Sequence, residues 1–86
     1  MFIGIDVSKA AMDVAARPGD RTEQFKNSSG GIRQLVAWVV ARSPSLVVLE
    51  STGGFERTAA EALRRVGVSV AVVNPRQASV ITQNRP

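Results

Sequence analysis

Two acidic residues close two apolar runs. Asp6 follows "FIGI" in the stretch "FIGIDVSK", residues 2–9, and Glu50 ends "SLVVLE", residues 45–50. An ionised carboxylate is costly to desolvate unless a partner offsets the cost. An acid at the tip of such a run therefore calls for a cation or for a turn hydrogen bond. The chain contains no histidine and no cysteine. This excludes Ser-His-Asp, Cys-His and His-metal chemistry, a disulfide framework and any zinc-finger spacing. Carboxylates, hydroxyls, lysine or a bound ion must carry any catalysis.

Small polar residues follow each acid, in "DVSK" and "ESTGG". If the two runs are adjacent parallel strands, both carboxylates emerge at the carboxyl edge of the sheet, where open α/β sheets gather their ligands. Two acids held close there repel and need a cation or a shared proton. Mg²⁺ or Mn²⁺ is the natural candidate, because both favour carboxylate and water oxygens. Paired divalent ions can activate a water and stabilise the leaving oxygen in phosphodiester cleavage. The structural alternative is that Asp6 caps the turn after its strand, while Glu50 pairs with an arginine or lies in solvent. Gly53 and Gly54 have two readings as well: backbone N–H groups that meet a phosphate, or a tight strand-to-helix turn. Lys9 is either a nucleic-acid backbone contact or a turn lysine.

The elements that must position these residues follow from periodicity. Met1 to Val7 reads as a buried strand. Ala10 to Arg17 alternates with Met12, Val14 and Ala16 on one face, the period of a half-exposed strand. "RPGD", residues 17–20, signals a turn, and Arg21 to Lys26 alternates weakly as a third strand. Such short connections imply an antiparallel meander. "NSSGG" interrupts the pattern, and Ile32, Leu35, Val36, Val39 and Val40 then form a helical stripe. Ser28 or Ser29 is its N-cap, Ser43-Pro44 its end, and Trp38 packs at the edge of the stripe. Ser45 to Glu50 fits a strand buried on both faces. A second helix carries Phe55, Ala59, Leu63 and Val66 on one face, with Gly67 at its C′ position. Val68 to Val73 is another buried strand. Asn74-Pro75 opens a third helix that includes Ala78, Val80 and Ile81. The expected order is β-β-β-α-β-α-β-α, a mixed sheet with helices packed on it.

The chain has 86 residues, 44% of them hydrophobic and 21% charged, which suits one soluble globular domain with a modest core. No signal peptide is evident, and the apolar runs are too short to span a bilayer. A cytoplasmic protein without membrane contact is expected. The net charge of +4 is unevenly placed. Seven acids and seven bases balance up to Glu61, after which come Arg64, Arg65, Arg76 and Arg85 and no acid. A one-sided basic tail is compatible with nucleic-acid contact, though charge alone favours a solvated helix face and a frayed terminus.

"GIDVSK", then "F.N...G...L", "LESTGGF" and "VVNPRQ" together resemble the N-terminal domain of the DEDD-type insertion-sequence transposases. These are bacterial DNA recombinases whose domain is similar to the RuvC Holliday-junction resolvase. The resemblance runs through nearly the whole chain. It implies a ribonuclease H-like (RuvC-like) fold over residues 1–86, with an antiparallel three-strand meander followed by parallel strands and helices on the sheet. It also implies a catalytic set of three aspartates and one glutamate holding a divalent metal. The first aspartate matches Asp6 and the glutamate matches Glu50. The remaining two normally follow the "NP" segment in a "KTD..DA" stretch that this sequence does not contain. The resemblance therefore casts the chain as a fragment or truncated copy with half the metal site, inactive by itself. The family's C-terminal domain, with its attacking serine, is not in this sequence, so neither Ser8 nor Ser51 nor Thr52 inherits that role. DNA, a structured guide RNA and homo-oligomeric assembly are the partners the resemblance implies, with Lys9, Thr52 and Arg76 near nucleic acid.

Two other functions are weighed against this expectation. An actin- or sugar-kinase-like ATP-binding lobe also opens with a "GID" strand. Such lobes usually follow the aspartate with a glycine and a hydroxyl residue, where Val7-Ser8-Lys9 stands here. A non-catalytic nucleic-acid-binding module would oligomerise through an exposed sheet edge or through an incompletely covered third helix.

Overall fold

The computed structural model describes residues 1–51 and 53–74, and residues 79–81 as backbone. Strands β1 (Phe2–Val7), β2 (Ala11–Arg17) and β3 (Thr22–Lys26) are followed by helix α1 (Ser29–Arg42) and strand β4 (Leu46–Glu50). Helix α2 (Arg57–Arg65) and strands β5 (Val70–Asn74) and β6 (Ser79–Ile81) complete the order. They form one sheet in the order β3-β2-β1-β4-β5-β6. The meander β1-β2-β3 is antiparallel. Strand β4 runs parallel to β1, and β5 parallel to β4.

Alternation decides which face is buried. Ile3, Ile5 and Val7 of β1 share a side with Met12, Val14 and Ala16 of β2 and with Val47 and Leu49 of β4, and all are buried. Onto that side pack Ile32, Leu35 and Val39 of α1 and Ala59, Ala60 and Leu63 of α2. Fully burying one such aliphatic side chain is worth about 1.5–3 kcal/mol. That stake, repeated along each strand, holds the register. Ser45 adds a local pin: its N–H and its hydroxyl both donate to the Met1 carbonyl, at 2.8 and 2.9 Å.

Helix α1 begins where Ser28 Oγ accepts from the Gly31 N–H at 3.1 Å, so Ser28 is the N-cap. It ends at Ser43, which adopts a left-handed φ of 48° before Pro44. Trp38 packs its ring edge-on against Phe25, with centroids 6.2 Å apart, and the Arg42 guanidinium lies 3.7 Å over its face. Helix α2 closes with a positive φ at Gly67 and a Val68 N–H that donates to the Leu63 carbonyl. This is the Schellman pattern, in which glycine relieves the left-handed strain.

Several expectations need correction. Residues 79–81 do not extend a third helix; they pair antiparallel with β5, Val80 opposite Val73 and Ile81 opposite Val72. The outer edge of β5 offers unpaired backbone groups, and the β-branched Val80 and Ile81 suit a strand. The expected helix start at Pro75–Ala78 lies outside the described residues. Strand β4 is not buried on both faces: Leu46 is exposed and Val48 half-buried. Strand β5 is half-buried throughout. For β4 the reason is that, among the described residues, both helices cover the same side of the sheet. In α2 the buried stripe is Ala59, Ala60 and Leu63, while Phe55 and Val66 are exposed. Val40 of α1 is exposed as well.

Gly31 is buried at the crossing of α1 with the end of β3, and a Cβ there would collide with the Lys26 backbone carbonyl. A Cβ at Gly30 would meet only the flexible tip of Arg33, at 3.7 Å. Gly31→Ala is therefore expected to destabilise the fold by about 1–3 kcal/mol through overpacking. Gly30→Ala should be neutral or stabilise by up to about 1 kcal/mol. Urea denaturation of the two variants measures the difference.

Candidate metal centre at the strand ends

Asp6 and Glu50 are register partners at the carboxyl ends of parallel neighbours β1 and β4. Adjacent strands lie about 4.8 Å apart, and partnered residues project from the same side. The two carboxylates thus share a side and a rim of the sheet, opposite the helix-covered core. They line a shallow depression of about 330 Å³ with Gly4, Asp13, Ala15 and Val48 among its walls. Its floor is low because Gly4 has no side chain, and a Cβ there would meet nothing within 4 Å.

Neither the Asp6 nor the Glu50 side chain makes a hydrogen bond or ion pair among the described residues, and both residues are exposed. A turn cap by Asp6 and an arginine partner for Glu50, two of the alternatives raised by the sequence, are not observed there; the third, Glu50 in solvent, agrees with its exposure. The turn after β1 is closed by Ser8 instead. Its N–H and hydroxyl donate to the Ala11 carbonyl at 2.9 and 3.1 Å, and its Oγ accepts from the Ala11 N–H. Lys9 is exposed on this turn, beyond Asp6. Thr52 and Arg76 lie outside the described residues.

A third acid joins the row unforeseen. Asp13 of β2 is the antiparallel register partner of Asp6 and lines the same depression. It accepts from Gln24 Nε2 at 2.7 Å, so it has a partner already. Its position was readable in principle, because alternation and a tight turn at residues 8–11 set Asp13 opposite Asp6. Among the described residues, no three acidic side chains are grouped closely enough to hold a metal ion. Asp6 and Glu50 thus offer two hard, unpartnered oxygen donors. That donor set fits a magnesium-like ion, which often takes only one or two carboxylates and completes its shell with waters and phosphate oxygens. Ser51 is different. It is 6% exposed, its place in the alternation sets it on the helix side, and its Oγ has no partner among the described residues. It does not belong to the acidic rim.

A mixed sheet of this order, with an antiparallel meander leading into parallel strands and helices on the sheet, is a ribonuclease H-like fold. A solved structure described as "T. thermophilus RuvC in complex with Holliday junction substrate" is similar, with a TM-score of 0.60 at 22% sequence identity. The match covers 88% of this chain and 65% of that one, so the chain spans less than two thirds of RuvC's length. The family model described as "Transposase", of the DEDD type named for IS110, matches residues 3–86. The chain belongs to this DEDD transposase family. No curated protein matches it. No helix among the described residues is long and apolar enough to cross a membrane.

Two unpaired carboxylates side by side contribute no attraction to the fold. Asp6→Asn and Glu50→Gln are each expected to leave stability within about 0.5 kcal/mol of the parent or to raise it slightly, as repulsion is relieved. Denaturation midpoints in metal-free buffer at low salt check this. A loss above about 1 kcal/mol for either variant contradicts the unpartnered geometry.

Proposed function

We propose that this chain is part of a divalent-metal-dependent DNA transposase, in which Asp6 and Glu50 supply half of the metal-binding carboxylates. The observation that carries this reading is their register pairing on adjacent parallel strands, without other partners, in a chain of the DEDD transposase family. Mg²⁺ is the proposed ion, with Mn²⁺ as its laboratory substitute. When bound, such an ion polarises a phosphoryl oxygen and lowers the pKa of a coordinated water. The contribution of this chain is to hold the ion against the sheet rim through the two carboxylates. The floor at half-buried Gly4, where a Cβ would meet nothing within 4 Å, leaves the approach to them open.

DNA is the proposed partner, in keeping with the Holliday-junction substrate named for the RuvC neighbour. Lys9 stands on the turn beyond Asp6, where an ammonium can meet a phosphate of the strand presented to the metal. Thr52 and Arg76 are proposed contacts of the same strand. A structured guide RNA, self-association and a cytoplasmic setting are further proposals of the same reading. The ATP-lobe alternative finds less support: the residues after Asp6 close a tight turn in which the Ser8 hydroxyl is engaged with Ala11, not free for a phosphate.

Calorimetry with Mn²⁺ tests the metal assignment. The parent chain is expected to bind weakly, and Asp6→Ala and Glu50→Ala to lose at least tenfold in affinity, about 1.4 kcal/mol. Indistinguishable isotherms would remove Asp6 and Glu50 as ligands. With only two acids of the set, the chain is expected to bind metal but not to cut a DNA strand. Strand cleavage by the chain alone would overturn that expectation. For nucleic acid, Lys9→Ala should lower the slope of log K against log salt by about 0.7–0.9 on single- or double-stranded DNA. An unchanged slope excludes a phosphate contact at Lys9.

A further inference from the structure

The ladder between β1 and β4 has the Asp6–Glu50 pair as its last rung. On their other sides Asp6 pairs with Asp13 of β2 and Glu50 with Val73 of β5, so the strands themselves are held. The segments that leave the two acids run beyond the β1–β4 ladder, and Asn27 bridges them. Its side-chain amide donates to the Ser8 carbonyl at 2.9 Å and to the Phe55 carbonyl at 3.2 Å. Ser8 lies two residues beyond Asp6, and Phe55 five beyond Glu50. The Asn27 backbone N–H donates to the Ala10 carbonyl at 2.9 Å, so it also grips the far side of the turn after β1.

The chemistry is specific. Both acceptors are carbonyl oxygens, so both must face the NH₂ group, whose two donors match two acceptors. An aspartate of the same shape would set oxygen against oxygen, and alanine would leave both carbonyls without this donor. The base of the clamp is firm. Phe25 precedes it by two residues and packs on Trp38, Ser28 follows it and caps α1, and Gly31 presses on the Lys26 backbone. The spacing "F.N...G" thus has a physical meaning here: a core anchor, a loop clamp and a close backbone approach.

We propose that Asn27 is a positioning residue that ties the segment leaving Asp6 to the segment leaving Glu50 and so sets the spacing of the two carboxylates. The link to metal affinity rests on the metal-site reading above; the tie between the two loops does not. Amide hydrogen exchange and Mn²⁺ calorimetry on the 86-residue chain test both parts. Asn27→Ala should speed exchange together at residues 8–11 and 53–56, and should weaken Mn²⁺ about tenfold, the lower end of the loss seen when a group supporting a metal ligand is removed. Asn27→Asp, read by exchange alone, should loosen the same two segments.

Val39→Ala is the structural control. Val39 is fully buried in α1, so its truncation lowers global stability while leaving Mn²⁺ affinity within about twofold at temperatures where the chain stays folded. Unchanged exchange at both segments in Asn27→Ala overturns the clamp. Loosened segments with parent-like Mn²⁺ affinity overturn its positioning role. If parent and Asp6→Ala bind Mn²⁺ equally while Asn27→Ala still loosens both segments, the metal reading falls and the loop tie stands.

Discussion

The parallel pairing of β1 with β4 sets Ile3 beside Val47, Ile5 beside Leu49 and Asp6 beside Glu50. The first two pairs lie under the helices and the third lies on the open side. These placements are inseparable, because side chains alternate along a strand. A slip of one residue would turn Val47 and Leu49 out of the core and would bury Glu50 under the helices. The energy that fixes the acids thus comes from the aliphatic residues next to them in sequence. Burial of Ile3, Ile5, Val47 and Leu49 far outweighs the modest repulsion of two exposed carboxylates.

The sheet is unequal in its two sides. One side carries both described helices and the whole buried cluster. The other presents Phe2, Leu46, Gly4 and Val48 around the acids, with Phe2 and Leu46 themselves register partners and both exposed. This asymmetry explains why apolar runs that look suited to complete burial are half-exposed. It also explains the open depression at the acids: a helix laid over Gly4 would close it. An acidic rim beside an apolar, accessible floor suits a ligand that approaches from the sheet face.

Both ends of the β1–β4 ladder are braced by polar contacts that cross long distances in sequence. Ser45 fastens the start of β4 to Met1, and Asn27 fastens the loops beyond the far ends of β1 and β4. The two braces bracket the short parallel ladder that the core residues bring into register. Each acts through main-chain carbonyls, so it resists sliding of one strand along the other without adding charge near the acids.

Much of this was legible in the chain itself. Alternation in β2 and in the core side of β1 identified the buried face, the "RPGD" turn ended β2, and Ser43-Pro44 and Gly67 ended the helices at their observed places. The sequence set Asp6 and Glu50 each at the end of an apolar run; their pairing was conditional on the two runs being adjacent parallel strands, which the register then supplied. Less was legible where local pattern and neighbours disagree. Val80 and Ile81 read as helix until β5 supplied an edge to pair with. Asp13 read as a solvated strand residue, and its place beside Asp6 depends on how the β1–β2 turn closes. Asn27 read as part of a break between strand and helix and of the "F.N...G...L" segment, but not as a tie, since both of its acceptors come from segments remote in sequence. The sequence by itself determined strands β1 to β5, helices α1 and α2, the buried face of β1 and β2 and the two acids at strand ends, because periodicity and turn chemistry act over a few neighbouring residues. Only the tertiary structure decided which side of the sheet stays open, which third acid stands in the row and which amide ties the loops. Those outcomes depend on strand order and register, which join residues far apart in the chain.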